Sequence, residues 1–466
     1  MFANALFSPR RYQSQRQLME ARGGDPGPIY WTEATRDLMV RIVVHGVPNR
    51  FSHWTFGEAY LKMLQSTGRI YEFVVWGSTM EAYIDDTLSE GESHLIAAHV
   101  MGHTDFMRHN FRFDSRYRLE AEDWIRHAQW VDTHIEKATT AMQEFAARYK
   151  DREGMLHERD GDWVMYEVYP YRELLDDYTA LDLMVTVANY SLPPWERESP
   201  PRLPLWAKRP PVVASPPPEI KKDPALVKMQ RPTWGHVDTL DILQAFARPD
   251  YVADLAGIFQ QEEDYFHVLK STKIMNEGWA SYWHQELAMA EGAEYDVWEQ
   301  AFMRSLVEDP RPTNPYWLGS SLFRALAEAG EDPRAAMQQY EDGSFLYHAL
   351  TPERFQQLEL VPIEVEADED AQLKPVWNFY HAGEKPEDAI DQFIQRQMVM
   401  KRGLGSPMLR WLSPKEIQVE GIWGLDLFPN VKPSVAPAWF VSLATLLGRT
   451  LTVRLPHSIA FTHTKE

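Results

Sequence analysis

Apolar positions recur at helical spacing through most of residues 31–345, the period at which a helix buries one face. The run from Leu88 to Arg112 predicts one helix, and residues 116–190 continue in a helical but more charged pattern. A short run, Ile70 to Trp76, breaks that period and reads as a strand. Residues 237–345 predict a helix over about Tyr251 to Phe266 and another beginning after Ser271 or Thr272, either of which can cap its free N–H groups. This second helix runs through Glu277 and His284 to about Ala290, with Gly292 near its end. After Arg354 the pattern changes to short β-like runs such as Leu358 to Val365 and Leu451 to Leu455.

Residues 191–236 interrupt the helical pattern with twelve prolines, among them Pro216, Pro217 and Pro218. Proline fixes φ and removes a backbone donor, so neither a regular helix nor a central strand fits there. Trp195, Trp206 and Trp234 favour a loop lying on a surface over a free linker. The expected fold class is mainly α (α+β). It comprises a polar, Arg-rich N-terminal arm over residues 1–30 and a mainly helical core over 31–345 carrying the proline-rich loop 191–236. A smaller C-terminal α+β module covers 346–466, with its start between residues 345 and 375.

A chain of 466 residues exceeds the usual single-domain size, so two or three packed units are expected. The formal net charge of −21 disfavours a nucleic-acid partner and docking on anionic lipid. There is no cysteine, which removes disulfides, thiolate metal sites and cysteine nucleophiles, and any metal must be held by His, Asp or Glu. The opening residues, MFANALFSPRRYQSQRQL, lack the apolar core of a signal peptide. The apolar run Trp439 to Gly448 falls short of the roughly 18 residues a membrane helix needs, so no membrane insertion is expected and the cytoplasm is the default compartment.

Two constellations carry candidate chemistry. In LIAAHVMGHTDFMRHN, His99 and His103 stand four apart, which on a helix puts both imidazoles on one face about 40° apart, a spacing that can chelate one ion. Asp105 is placed to orient a ligand histidine, and Asn110 returns to the same face. The plainer reading is a pair of hydrogen-bonded core histidines. Leu95, Ile96, Val100, Met101 and Phe106 mark this helix as buried, and a buried histidine needs a partner. In STKIMNEGWASYWHQELAMAEG, Glu277 and His284 lie two helical turns apart and share a face, while Trp279 and Trp283 form a packing face. Gly278 costs helix propensity and permits another backbone or a ligand to come close. Glu277 sits among Ile274, Met275, Trp279 and Ala280, and a buried carboxylate needs a cation. A metal at the two histidines, Lys273 or an arginine would each serve. Glu262 and Glu263 are adjacent, so one is expected to face inward and the other solvent.

IMNEGWASYWH (Ile274 to His284), AHVMGHTDF (Ala98 to Phe106), HWTFG (His53 to Gly57), EEDYF (Glu262 to Phe266) and NPYWLG (Asn314 to Gly319) occur in the order seen in SpoVR-like proteins, the stage V sporulation protein R family. The resemblance covers roughly residues 30–345; WGLDLF (Trp423 to Phe428) matches less closely. The proline-rich stretch and the MRHN ending depart from the family pattern, which commonly has a Phe-Lys-Asn-Asn-like sequence at the latter. The resemblance implies a role in spore cortex formation or stress, and partnership with a PrkA-type serine kinase and a YhbH-like protein. It implies no established reaction.

A more distant similarity is to gluzincin metallopeptidases, which carry two zinc histidines in HExxH on one helix and a third ligand, Glu, on a later one. HVMGH and NEGWA resemble those two motifs and imply His99, His103 and Glu277 as ligands of a divalent metal, zinc by the donor types. Val100 stands where the general-base glutamate would be and cannot take a proton. The expected function is a metal-dependent hydrolase of cell-wall, spore-cortex or stress metabolism. Glu263 is the preferred base, His284 or Tyr316 the oxyanion donor, and His284 alternatively a fourth ligand. The competing reading is a non-catalytic scaffold or regulator working with the kinase and its partner.

Overall fold

The computed structural model describes residues 10–45, 54–65, 70–134, 236–246, 250–291, 314–360 and 386–402, with short stretches and strands between and beyond them. Most of the proline-rich segment, and the apolar run Trp439 to Gly448, lie outside the described residues. The described chain is mainly helical, as the periodicity predicts, with small sheets.

The order begins with α1 (Arg10–Ala21), β1 (Ile29–Ala34), α2 (Arg36–His45), α3 (Trp54–Gln65), β2 (Glu72–Val75), β3 (Met80–Asp85) and α4 (Glu90–His109). β1 runs parallel to β3 and β2 antiparallel to it, giving the sheet order β1-β3-β2 with Glu72 opposite Ile84. α4 starts at a capping box, Ser89 with Glu92, and its residues are buried from Leu95 to Met107 on every side. A helix so enclosed is central to its fold, and α4 is packed by α1 and by the helices that follow.

The described part of the N-terminal arm is docked. Residues 10–27 include α1, whose Met19 is fully buried and whose Gln15 side chain donates to the His94 carbonyl. The stripe of Tyr12, Gln15 and Met19 recurs at helical spacing and supplies an inward face. Beyond the helical stretch 121–134, the expectation of continued helix fails at Leu156–Arg159 (β4) and Asp162–Met165 (β5), which pair antiparallel. The intervening Asp160-Gly161 is a hairpin-forming dipeptide.

β6 (His236–Val237) precedes α5 (Thr239–Phe246), α6 (Asp250–Ser271), α7 (Lys273–Glu291), α8 (Pro315–Glu328), α9 (Pro333–Gln339), α10 (Asp342–Ala349) and α11 (Pro352–Gln357). Both Glu262 and Glu263 of α6 are buried, against the expectation that one would be solvated. Glu262 faces His127 at 3.5 Å, while Glu263 accepts at 3.0 Å from Lys270 of the same helix. The start of α7 also differs from its sequence reading. Thr272 donates its hydroxyl to the Val268 carbonyl, and the N–H groups of Ile274 and Met275 are capped by the buried carboxylate of Asp342, at 2.9 and 2.8 Å.

The helical core also runs past residue 345. α12 (Pro386–Arg402) lays Ala389, Ile390, Phe393 and Ile394 against the cluster that holds Phe345, Leu350 and Phe355. β7 (Ile363–Ala367) and β8 (Leu373–Trp377) form a hairpin. β9 (Pro407–Ser413), β10 (Glu416–Ile422), β11 (Thr450–Leu455) and β12 (Ser458–His463) make a sheet of order β12-β11-β10-β9-β6. Its edge strand β6 comes from before the core helices, so the C-terminal sheet is tied to the middle of the chain. Among the described residues no helix is long and apolar enough to cross a membrane.

Candidate metal centre

Two near-contacts between helix backbones assemble the site. A Cβ on Gly102 of α4 would lie 2.5 Å from the Cα of Ala280 in α7, and one on Gly278 would lie 2.4 Å from the Cα of Gly319 in α8. Gly278 thus admits a backbone rather than a ligand. These contacts draw α4, α7 and α8 together beside His103 and Glu277. β2 brings Glu72 to the same place.

The three side chains implied by the gluzincin-like motifs meet. Glu277 Oε2 stands 3.6 Å from His99 Nε2 and 3.4 Å from His103 Nε2. Glu72 Oε1 lies 3.7 Å from His103 Nε2, and donor atoms of Glu72, His99 and His103 all fall within 4.8 Å of one another. Glu72 has no counterpart in the sequence reading. Its one signal there is a lone carboxylate in the apolar run Ile70 to Trp76.

The other oxygen of Glu277, Oε1, is 3.3 Å from Lys273 Nζ, so the lysine serves as one of its cations. Oε2 is buried and has no hydrogen-bond partner. Its distances to the two imidazole nitrogens are too long for hydrogen bonds. They suit donors sharing an ion, since ligands about 2.0–2.1 Å from a tetrahedral zinc stand about 3.4 Å apart. An orphaned carboxylate oxygen facing two imidazole nitrogens is a donor set that fits a transition metal.

The orienting partner of His103 is Asn276, whose Oδ1 lies 2.9 Å from Nδ1. His103 donates its Nδ1 proton to that oxygen, so an ion would displace the proton on Nε2, the nitrogen that faces Glu277. Asp105 plays a different part from the expected one. It accepts from the Asp25 N–H at 2.8 Å, the Trp279 indole at 2.8 Å and both Arg334 guanidinium nitrogens at 3.2 Å. Two residues beyond His103 on a helix, it faces another side of α4. Asn110 closes the C-terminus of α4, donating to the Met337 and Tyr340 carbonyls.

His284 and Tyr316 border His99, with ring centroids 5.7 Å away in each case, the tyrosine stacked and the histidine edge-on. His284 is buried and its Nε2 has no hydrogen-bond partner. Glu263 is buried in α6 and accepts from Lys270 of the same helix at 3.0 Å.

The electrostatics follow from burial and neighbours. Burial pushes His99 down, and the adjacent His103 adds to that. Burial opposes charge on His103 too, but Glu72 and Glu277 overcome it and push His103 up to about 9. Burial alone would raise Glu277; Lys273 and the two imidazoles hold it well below the usual carboxylate range. Burial and the neighbouring His99 keep His284 neutral. The charge of Glu277 and burial raise Tyr316, so its hydroxyl keeps its proton.

The family model described as SpoVR like protein matches residues 33–149 and 203–377, and every residue of this centre falls inside those ranges. A curated relative, the uncharacterized protein YcgB of Escherichia coli (strain K12), is 22% identical over 375 residues, covering 66% of this chain and 64% of that protein. The chain therefore spans just under two thirds of the relative's length. No solved structure matches. The SpoVR match takes in more than half of the chain and both helices of the centre, and the protein belongs to the SpoVR family.

Proposed function

We propose that this chain is a metal-dependent hydrolase of the SpoVR family, holding one divalent ion, zinc by its donor set, on His99, His103 and Glu277. The observation that carries this reading is the orphaned Glu277 Oε2 facing the Nε2 atoms of both histidines. When bound, the ion supplies a Lewis acid that polarises a carbonyl and acidifies water. Asn276 holds His103 in the ligating orientation. Lys273 balances the outer oxygen of Glu277. Tyr316 and His284 flank His99 as donors for a developing oxyanion. The substrate class that suits such a site is an amide or peptide, and the family resemblance directs it to cell-wall, spore-cortex or stress metabolism in the cytoplasm.

Elemental analysis of purified protein tests the reading. About one equivalent of zinc or another transition metal is expected, and His103→Ala, which removes one of three donors, should strip it. Metal-free wild-type protein that also fails to take up zinc on titration would refute the centre.

A second reading rests on Val100. The base position of the gluzincin-like motif holds a fully buried valine. In that reading the His–Glu cluster specifies a core, and the protein works as a scaffold with a PrkA-type serine kinase and a YhbH-like protein. Kinase binding that persists in His103→Ala, with no turnover of a peptide panel by fully metallated wild type, favours it.

A further inference from the structure

We infer that Glu72, carried on β2, is the proton-accepting carboxylate of this centre and replaces the base that Val100 cannot provide. The inference rests on the metal-centre reading above.

Position separates Glu72 from the ligands. Glu277 Oε2 is nearly equidistant from the two imidazole nitrogens, at 3.6 and 3.4 Å, and its other oxygen is held by Lys273. A carboxylate ligand is normally anchored in this way on its outer oxygen. Glu72 is offset toward one histidine, with Oε1 3.7 Å from His103 Nε2, and among the described residues His103 is its close partner. A carboxylate that takes a proton from water sits one hydrogen bond farther out than the ligands and keeps an oxygen unclaimed. As a fourth ligand Glu72 would close the coordination sphere, the mark of a structural site.

The step assigned to it balances. An O–H bond of a water molecule at the open position breaks and its proton passes to a Glu72 carboxylate oxygen. The water oxygen's electron pair forms the bond to the substrate carbonyl carbon, and the C=O π pair moves onto the carbonyl oxygen, to return when the amine leaves. When the C–N bond breaks, the proton leaves Glu72 with the departing amine.

The test compares Glu72→Gln and Glu277→Gln in the full chain. Zinc affinity is measured by chelator competition, and the cobalt(II) form is titrated with acetohydroxamate, a chelator that hands its proton to a neighbouring base. Expected is a loss of zinc affinity of about 100-fold in Glu277→Gln but within about tenfold of wild type in Glu72→Gln. Acetohydroxamate should bind the Glu72→Gln cobalt form at least about tenfold more weakly than wild type, a proton-transfer contribution of the size general bases make. Glu72→Asp, which keeps the acid but shortens its reach, should fall between and covers the case that Gln fails to fold. Zinc loss in Glu72→Gln equal to that in Glu277→Gln overturns the inference and makes Glu72 a ligand. Unaltered zinc and acetohydroxamate binding overturns it as well. Wild-type protein that binds neither zinc nor cobalt removes the metal centre itself, and the inference with it.

Discussion

Gly278 and Gly319 touch backbone to backbone: a Cβ on Gly278 would lie 2.4 Å from the Gly319 Cα, and one on Gly319 would lie 2.2 Å from the Ile274 carbonyl oxygen. Neither obstacle is the end of a flexible side chain, so a methyl group at either position forces α7 and α8 apart. Gly278→Ala should cost at least the 1–3 kcal/mol typical of overpacking, read by urea denaturation, and should weaken metal binding by displacing Glu277, the next residue. Gly257 in α6 is the control. A Cβ there would meet its nearest atom, Gln244 Oε1, at 3.5 Å, an ordinary contact. Gly257→Ala should therefore stabilise the protein by about 0.5–1 kcal/mol through helix propensity.

Asp342 caps α7 from a distant part of the chain. Its two oxygens accept from the Ile274 and Met275 N–H groups, and the side chain is fully buried. Asp342→Ala leaves two buried donors without partners, and a loss of about 2 kcal/mol or more is expected, at the upper end of helix-cap substitutions. Hydrogen exchange at the Ile274 and Met275 amides should accelerate selectively. Protection unaltered at both amides would show that this cap does not hold the helix start.

Asp105 makes the molecule acid-sensitive. Burial would raise it, but His109, the Asp25 N–H, Arg334 and Trp279 together bring it below its ordinary 3.8. A carboxylate lowered in the folded state contributes stability that is present above about pH 4 and is lost as pH falls through the folded value. Asp105→Asn should cost about 3–5 kcal/mol at neutral pH, since it leaves the guanidinium of Arg334 facing no charge. It should also flatten the stability profile below pH 4. Parallel acid limbs for wild type and variant would refute this account.

The parts of this architecture written in local pattern could be read from the chain, and those made by distant contacts could not. α4 and α7 follow from apolar spacing, and the histidine pair follows from its four-residue step. Glu72 had no such signal, because a single acid in an apolar strand acquires meaning only once β2 packs beside α4. Closeness in sequence suggests Asp105 as the partner of a ligand histidine, whereas helix geometry turns it toward Trp279 and Arg334. Cap preference points to Ser271 and Thr272 for α7, and the cap comes from Asp342 through tertiary packing. The docking of α1 has a weak sequence signal because its Arg-rich composition hides the narrow stripe of Tyr12, Gln15 and Met19.

Asn276 offers the finest test of how the centre is held. Its Oδ1 lies 2.9 Å from His103 Nδ1, and both residues are buried. The contact does two things: it fixes the ring plane, and it keeps a proton on Nδ1 so that Nε2 is the nitrogen left to take an ion. Asn276→Ala removes both, and zinc affinity should fall about 10–100-fold, the usual range for losing a partner of a ligand histidine. Asn276→Asp keeps an acceptor at the same distance and adds a charge that makes the imidazole a better donor, so affinity should recover to the wild-type level or above. Asn276→Leu preserves bulk without an acceptor and should behave like the alanine variant. That ordering separates positioning from packing. If side-chain volume alone mattered, leucine would restore binding and alanine would not. Equal zinc affinity in all four proteins, measured by chelator competition with thermal unfolding checked in parallel, would mean that His103 is oriented by its surroundings and not by Asn276.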